Sequence, residues 1–218
     1  PLIEMMANWT SKMGYPMVTI ESDNNMVICS QKKFQHINND KVVDSIWTVP
    51  LNLNINSKIY PLILNQKSNN YQIDNLGEKP IKLNNDETGF YVCNYDQDLL
   101  NRLIEPIQDQ TLNIINRASI VNDLFSLTKY GYNNLDKYLN FVKKAYNNET
   151  SYVVLNIIIS NLGEIKSIYY QNEDKVHKIE LLEFNLIKNL ISYKSQLDES
   201  FQDSLRRTMI LSMMVKLY

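Results

Sequence analysis

The sequence predicts a multidomain chain, β then α: a small β-sandwich followed by the first part of an all-α helical bundle or superhelix. Three observations carry this. Up to Asp96, apolar residues alternate in short runs divided by turn residues, the period of half-buried strands. Beyond Asp96 the apolar spacing becomes three and four, the period of amphipathic helices. The two regimes meet at one junction, where a strand-like Gly89-Phe90-Tyr91-Val92-Cys93-Asn94-Tyr95-Asp96 precedes a helical stretch with apolar residues at Ile114, Ala118, Val121 and Phe125. The expected division is therefore 1–15, the last helix of something upstream; 16–96, the sandwich; and 97–218, the helical part.

In chain order, Leu2, Ile3, Met5, Met6 and Trp9 form a short helical pattern, which Gly14-Tyr15-Pro16 ends. Met17 to Glu21 and Met26 to Ser30 read as strands around a hairpin loop at Asp23-Asn24-Asn25. Ile46 to Leu51 reads as a strand with Pro50 at an end or on an edge, because proline gives no ladder donor. Further short strands are expected at Ile59 to Leu64, Tyr71 to Ile73, Ile81 to Leu83 and Phe90 to Tyr95, with Asn65 to Asn70 as a polar loop. Leu99, Leu100, Leu103, Ile104 and Ile107 then mark one helix with Pro106 near its end. Asn116 is the expected N-cap of the next helix and Gly131 its C-terminal signal. Leu135, Tyr138, Leu139, Val142 and Tyr146 form an amphipathic stripe after Asn134. Ser151 to Leu162 is rich in β-branched residues, but its length and helical neighbours favour helix. Ile179, Leu182, Leu186, Leu190 and Tyr193 predict another helix, and Ser200 with Asp203 resembles a capping box opening the last.

Composition restricts the function. The 218 residues carry Lys+Arg 22 against Asp+Glu 24, net −2, without the basic surplus of a nucleic-acid binder. Cys29 and Cys93 are too few for a disulfide framework and are expected to be free, in a reducing compartment, so a cytoplasmic location is expected. No apolar run is long enough to span a membrane. The chain begins at Pro1 and stops inside an apolar helical pattern, so it is expected to be a piece of a longer protein.

Chemistry-bearing motifs are sparse. His36 and His177 stand outside any HExxH arrangement and read as surface or loop residues, and neither cysteine has a partner at zinc-ligand spacing. There is no GxSxG, P-loop or GxGxxG, and only 5 glycines are available for a phosphate-cradling loop. The acidic pairs Asp86-Glu87, Glu173-Asp174 and Asp198-Glu199 read as solvated faces or helix starts. Arg206-Arg207 could meet a carboxylate or a peptide end, although helix packing is the simpler reading, and Met209, Met213 and Met214 are spaced as a core face. Two sequons, Asn8-Trp9-Thr10 and Asn148-Glu149-Thr150, matter only in a secreted protein.

Five blocks, in order, carry a family resemblance. Trp9-Thr10-Ser11-Lys12-Met13-Gly14-Tyr15-Pro16-Met17-Val18-Thr19-Ile20 resembles the W-T-x-x-x-G-[FY]-P-[VL]-[IL]-T-[VI] stretch of the zinc aminopeptidases related to aminopeptidase N and the puromycin-sensitive aminopeptidase. Gln31-Lys32-Lys33-Phe34 is similar to the family's Q-x-x-[FY], and Ile46-Trp47-Thr48-Val49-Pro50-Leu51 to its L-W-x-[IV]-P-[LI]. Gly89 to Asp96 resembles G-[FY]-Y-R-V-N-Y-D, with Val92 where many members have Arg, which suggests the intracellular fungal-type arm. Asn116-Arg117-Ala118-Ser119-Ile120-Val121-Asn122-Asp123-Leu124-Phe125 resembles D-R-A-x-[LI]-[IV]-x-D-A-F, and Leu205-Arg206-Arg207 an L-R helix start in the family's last domain.

The resemblance implies that residues 1–15 close a catalytic domain whose zinc site precedes the first block. No catalytic, metal or substrate-binding residue carries over to this chain. The implied role is non-catalytic: a spacer and a helical cap over the cavity of a zinc-dependent aminopeptidase that removes N-terminal residues from peptides, inactive alone. Its implied partners are its own catalytic domain and, through the parent, zinc and peptides; nucleic acid and membrane are not among them. A scaffold protein or a pseudo-enzyme of the same architecture is the alternative.

Overall fold

The computed structural model describes residues 2–38, 45–195 and 198–217; Pro1 and Tyr218, which end the expected terminal elements, lie outside them. The elements in order are α1 (Leu2–Thr10), β1 (Pro16–Asp23), β2 (Met26–Lys33), β3 (Val49–Pro50), β4 (Leu53–Ile55), β5 (Lys58–Tyr60), β6 (Ile63–Leu64), β7 (Ser68–Gln72), β8 (Ile81–Lys82) and β9 (Val92–Tyr95). They are followed by α2 (Gln97–Arg102), α3 (Ile104–Gln108), α4 (Ile114–Lys129), α5 (Leu135–Ala145), α6 (Tyr152–Ile168), α7 (Glu173–Ile187) and α8 (Phe201–Leu217). The order is β then α, as expected. The chain divides into two compact units, one of residues 1–106 with 123–138 and one of residues 107–122 with 139–218.

The first unit holds three small sheets, of order β7-β2-β1-β9, β5-β4-β8 and β3-β6. β1 and β2 form the expected hairpin, turned at Asn24, whose φ of 53° suits asparagine better than a branched residue. β1 pairs in parallel with β9, Met17 opposite Val92 and Val18 opposite Cys93. It is central and buried on both faces, which explains its nearly unbroken apolar run. Met17 and Val92 pack with Phe34 and Leu127, bringing the end of α4 onto the sheet, while Tyr15, Tyr130 and Tyr132 close the cluster. On the alternate face Val18, Ile20, Cys93 and Tyr95 are also buried.

Two side chains replace missing strand pairing. Gln31 is buried on β2; its Oε1 accepts from Trp47 N–H at 2.9 Å, and its Nε2 donates to Trp47 C=O at 2.8 Å and to Gln66 C=O at 2.9 Å. Residues 45–48 therefore need no ladder, and the strand expected from Ile46 is reduced to Val49–Pro50. Asn84 bonds Gly89 reciprocally, accepting its N–H at 2.8 Å and donating to its C=O at 2.9 Å. A Cβ on Gly89 would come within 2.5 Å of the Tyr91 ring, so only glycine fits there. α1 is tied in by Trp9, whose Nε1 donates to Thr48 C=O at 2.9 Å, and by Asn8, whose Oδ1 accepts from Thr48 N–H at 3.0 Å.

Four local expectations are corrected. Ser68 to Asn70, read as loop, belongs to β7, an edge strand too exposed to need apolar residues. The helix expected around Leu99 to Ile107 is broken into α2 and α3, because Pro106 has no N–H for the Arg102 carbonyl; proline is tolerated instead in the first turn of α3. Asn113, not Asn116, caps α4, its Oδ1 accepting from Asn116 N–H at 2.9 Å, and Asn116 is buried inside the helix. Tyr193 lies beyond α7 and is exposed.

The buried carboxylate Asp123 joins α4 to β9: its Oδ2 accepts from Cys93 N–H at 2.9 Å. Burial, reinforced by Glu87, pushes its carboxyl up to about 7, against the opposing pull of the Cys93 N–H bond and of Lys82. Between the ordinary carboxylate range, about 4, and about 7 the folded chain holds a proton that the unfolded chain has lost. Stability from this group is full below that window and is lost as pH rises through it. Asp123→Asn keeps an oxygen acceptor and cannot titrate. Thermal unfolding from about pH 5 to about pH 8 is expected to show a falling midpoint for the parent chain and a flatter one for the variant.

Candidate functional site

In the second unit the first turns of α4, α6 and α8 border one cleft of about 660 Å³. The starts of α4 and α8 are capped by side chains of their own sequence. Asn113 serves α4, and Ser200 Oγ accepts from Asp203 N–H at 3.1 Å on α8, the N-cap half of the expected capping box. Leading into α6, Glu149 Oε1 accepts from Thr150 N–H at 2.9 Å and from Ser151 N–H at 2.8 Å. The same carboxylate holds Arg117, with Nε to Oε2 at 2.7 Å and Nη2 to Oε1 at 3.1 Å, both side chains almost wholly buried. Tyr146 O–H donates to Arg117 C=O at 2.7 Å, fixing α5 to α4. Arg206 Nη1 donates to Thr150 C=O at 2.7 Å and its guanidinium pairs with Asp203, also at 2.7 Å.

The lining supplies amides, hydroxyls and Arg206, with Ile114, Ile115 and Tyr152 as apolar contacts, and it contains neither thiol nor imidazole. Its carboxylate, Asp203, is engaged by Arg206 and by Ser200 Oγ at 2.6 Å.

The residues singled out by sequence are dispersed. His36 is an exposed loop residue whose Nδ1 accepts from Asn38 N–H at 3.3 Å, and His177 is exposed on α7. Cys29 and Cys93 are free and buried; burial pushes the Cys29 thiol up to about 12 and the Cys93 thiol well above its ordinary value, so neither supplies a thiolate. Among the described residues no group of three or more His, Cys, Asp and Glu side chains could hold a metal, and so these residues do not fit a zinc ion. Glu87 reaches the buried Lys82 at 3.4 Å, while Glu173 and Asp174 lie exposed in the first turn of α7, where negative charge suits the helix dipole. Arg207 forks onto Glu199 at 2.9 Å and so serves helix packing, whereas Arg206 borders the cleft. Met209, Met213 and Met214 are half-buried on α8. Asn8 is bonded to backbone, while Asn148 is exposed.

The sequence reading missed the buried charges Lys82, Glu149 and Glu183, which hydrophobic periodicity cannot reveal.

Comparison with known proteins accords with the fold order. The profile of the ERAP1-like C-terminal domain matches residues 80–217. A probable aminopeptidase 1 of Sulfurisphaera tokodaii is 30% identical over 177 residues, covering 81% of this chain and 21% of the relative. The alanine/arginine aminopeptidase of Saccharomyces cerevisiae is 25% identical over 192 residues, covering 86% and 22%. Aminopeptidase M1-B of Oryza sativa subsp. japonica is 28% identical over 233 residues, covering 100% and 26%. The chain belongs to the ERAP1-like C-terminal domain family of the aminopeptidases. It spans between a fifth and about a quarter of the length of these relatives. No described helix is long and apolar enough to cross a membrane.

Removing Glu149 strands a buried guanidinium and two backbone donors at once. Glu149→Ala is expected to cost about 3–5 kcal/mol in denaturant unfolding followed by far-UV circular dichroism. Glu149→Gln should cost less, because its amide oxygen still accepts from the Thr150 and Ser151 N–H groups.

Proposed function

We propose that this chain is the non-catalytic C-terminal portion of a zinc-dependent aminopeptidase that removes N-terminal residues from peptides. The carrying observation is the family match across residues 80–217. The relatives' greater length leaves room for a catalytic domain outside this chain, where the zinc and its ligands would lie. The β-rich unit would act as a sandwich-like spacer, and the helical unit as a cap that closes the active-site cavity and limits the peptides admitted. The exposed apolar side chains Ile3, Met6 and Met13 support a covering partner at the α1 end, which in this reading is the catalytic domain. Two reduced, buried cysteines favour a cytoplasmic location.

The test compares this chain with the longer gene product on an aminoacyl-amide reporter. The chain alone is expected to be inactive with or without added zinc, and the longer product active and silenced by a chelator. Deleting residues 139–218 from the longer product is expected to raise turnover of long peptides relative to dipeptides. Zinc-dependent turnover by the chain alone, or a chelator-insensitive longer product, would overturn the reading.

A further inference from the structure

α5 and α7 enclose a second groove in the helical unit, of about 700 Å³. Its floor is apolar: Ile179 is buried, Leu182 half-buried, and Leu181 remains 52% exposed. Lys143, Lys178 and Lys188 stand around it with five asparagine side chains, and none of the described lining residues is acidic. The chain as a whole carries net −2, whereas the described lining of the groove is cationic. Helix ends account for part of this: Lys143 lies in the last turn of α5 and Lys188 just past α7, where carbonyls favour cations. That account leaves out Lys178, in the interior of α7. It is also quantitatively insufficient, since two helix C-termini offer about −0.5 charge each against three ammonium groups.

We propose that this groove docks an acidic, amphipathic helical segment of a protein partner. Along α7, Lys178, Leu181 with Leu182, Asn185 and Lys188 recur at three- and four-residue steps, so they share one face. The two lysines on that face are separated by about 15 Å at 1.5 Å per residue. A fitting segment therefore presents carboxylates roughly three helical turns apart, with leucine-like side chains between them for the floor. The asparagine amides can bond its polar edge. Nucleic acid fits less well, because no aromatic side chain lines the groove to stack a base. A lipid surface fits less well because the apolar residues form a floor rather than a protruding face. This inference stands independently of the aminopeptidase reading.

The probe is a fluorescein-labelled peptide of about four helical turns, with a leucine stripe and glutamates toward both ends, titrated with the protein and followed by anisotropy. Saturable binding at about 50 mM salt is expected, weakened several-fold at about 300 mM. Lys178→Glu with Lys188→Glu is expected to weaken it about tenfold or more, and Leu181→Asn to weaken it as well. Lys178→Gln with Lys188→Gln gives a milder reading if charge reversal disturbs folding, which circular dichroism monitors. Equal binding of a peptide with lysine in place of glutamate, or indifference to both lysine pairs, would overturn the proposal. So would displacement of the probe by oligouridylate or phosphatidylserine vesicles more effectively than by unlabelled peptide.

Discussion

A buried hydrogen bond, from Cys93 N–H to the carboxyl group of Asp123, sets the order of the first unit. Cys93 lies on β9, the strand that pairs in parallel with the doubly buried β1. Asp123 lies on α4, whose later residue Leu127 packs with Met17, Phe34 and Val92. Losing the bond would leave a buried backbone donor unsatisfied, a cost of about 1–3 kcal/mol. The apolar contacts supply most of the stabilisation, but they are non-directional. The hydrogen bond selects one register of helix against strand. Val92 is suited to this arrangement: where the family resemblance has Arg in many members, this chain places an apolar side chain against Met17 and Leu127.

The same pair explains why the family signature is strong in a region without reactive groups. The block at Gly89 to Asp96 and the block at Asn116 to Phe125 are the two sides of the Asp123 connection. The Gln31 and Trp47 blocks are likewise two sides of one side-chain clamp. Arg117, a third motif residue, is buried against Glu149. These positions are constrained because a buried polar group has few partners geometrically open to it. Such constraints mark lineage as clearly as catalytic residues do, and they carry no information about the reaction.

Periodicity made the larger architecture legible. The β1–β2 hairpin, the helical character of the β-branched stretch now seen as α6, and the Ser200–Asp203 cap all follow from local pattern. What stayed hidden was decided by partners distant in sequence. β7 is polar and pairs because β2 offers an edge. Asn113 and Asn116 are the same residue type one helical turn apart, so composition could not tell which one caps. The basic groove arises from Lys143 on α5 and two lysines more than thirty positions later on α7, a proximity that no single-helix pattern contains.

Asparagine takes on much of the turn-making that glycine performs elsewhere. With 5 glycines in the chain, Asn24, Asn52, Asn56, Asn75 and Asn84 take positive φ, against Gly14, Gly77 and Gly131 among the described glycines. Asparagine offers that conformation at low cost, but its side-chain amide is chemically mortal. Attack by the following backbone nitrogen converts it to aspartate or isoaspartate, adding a negative charge and, in the second case, an extra backbone carbon. Ageing of this chain would thus register first as altered turns rather than as a damaged core, with Asn84 buried and bonded twice to Gly89 while Asn24 and Asn56 are exposed.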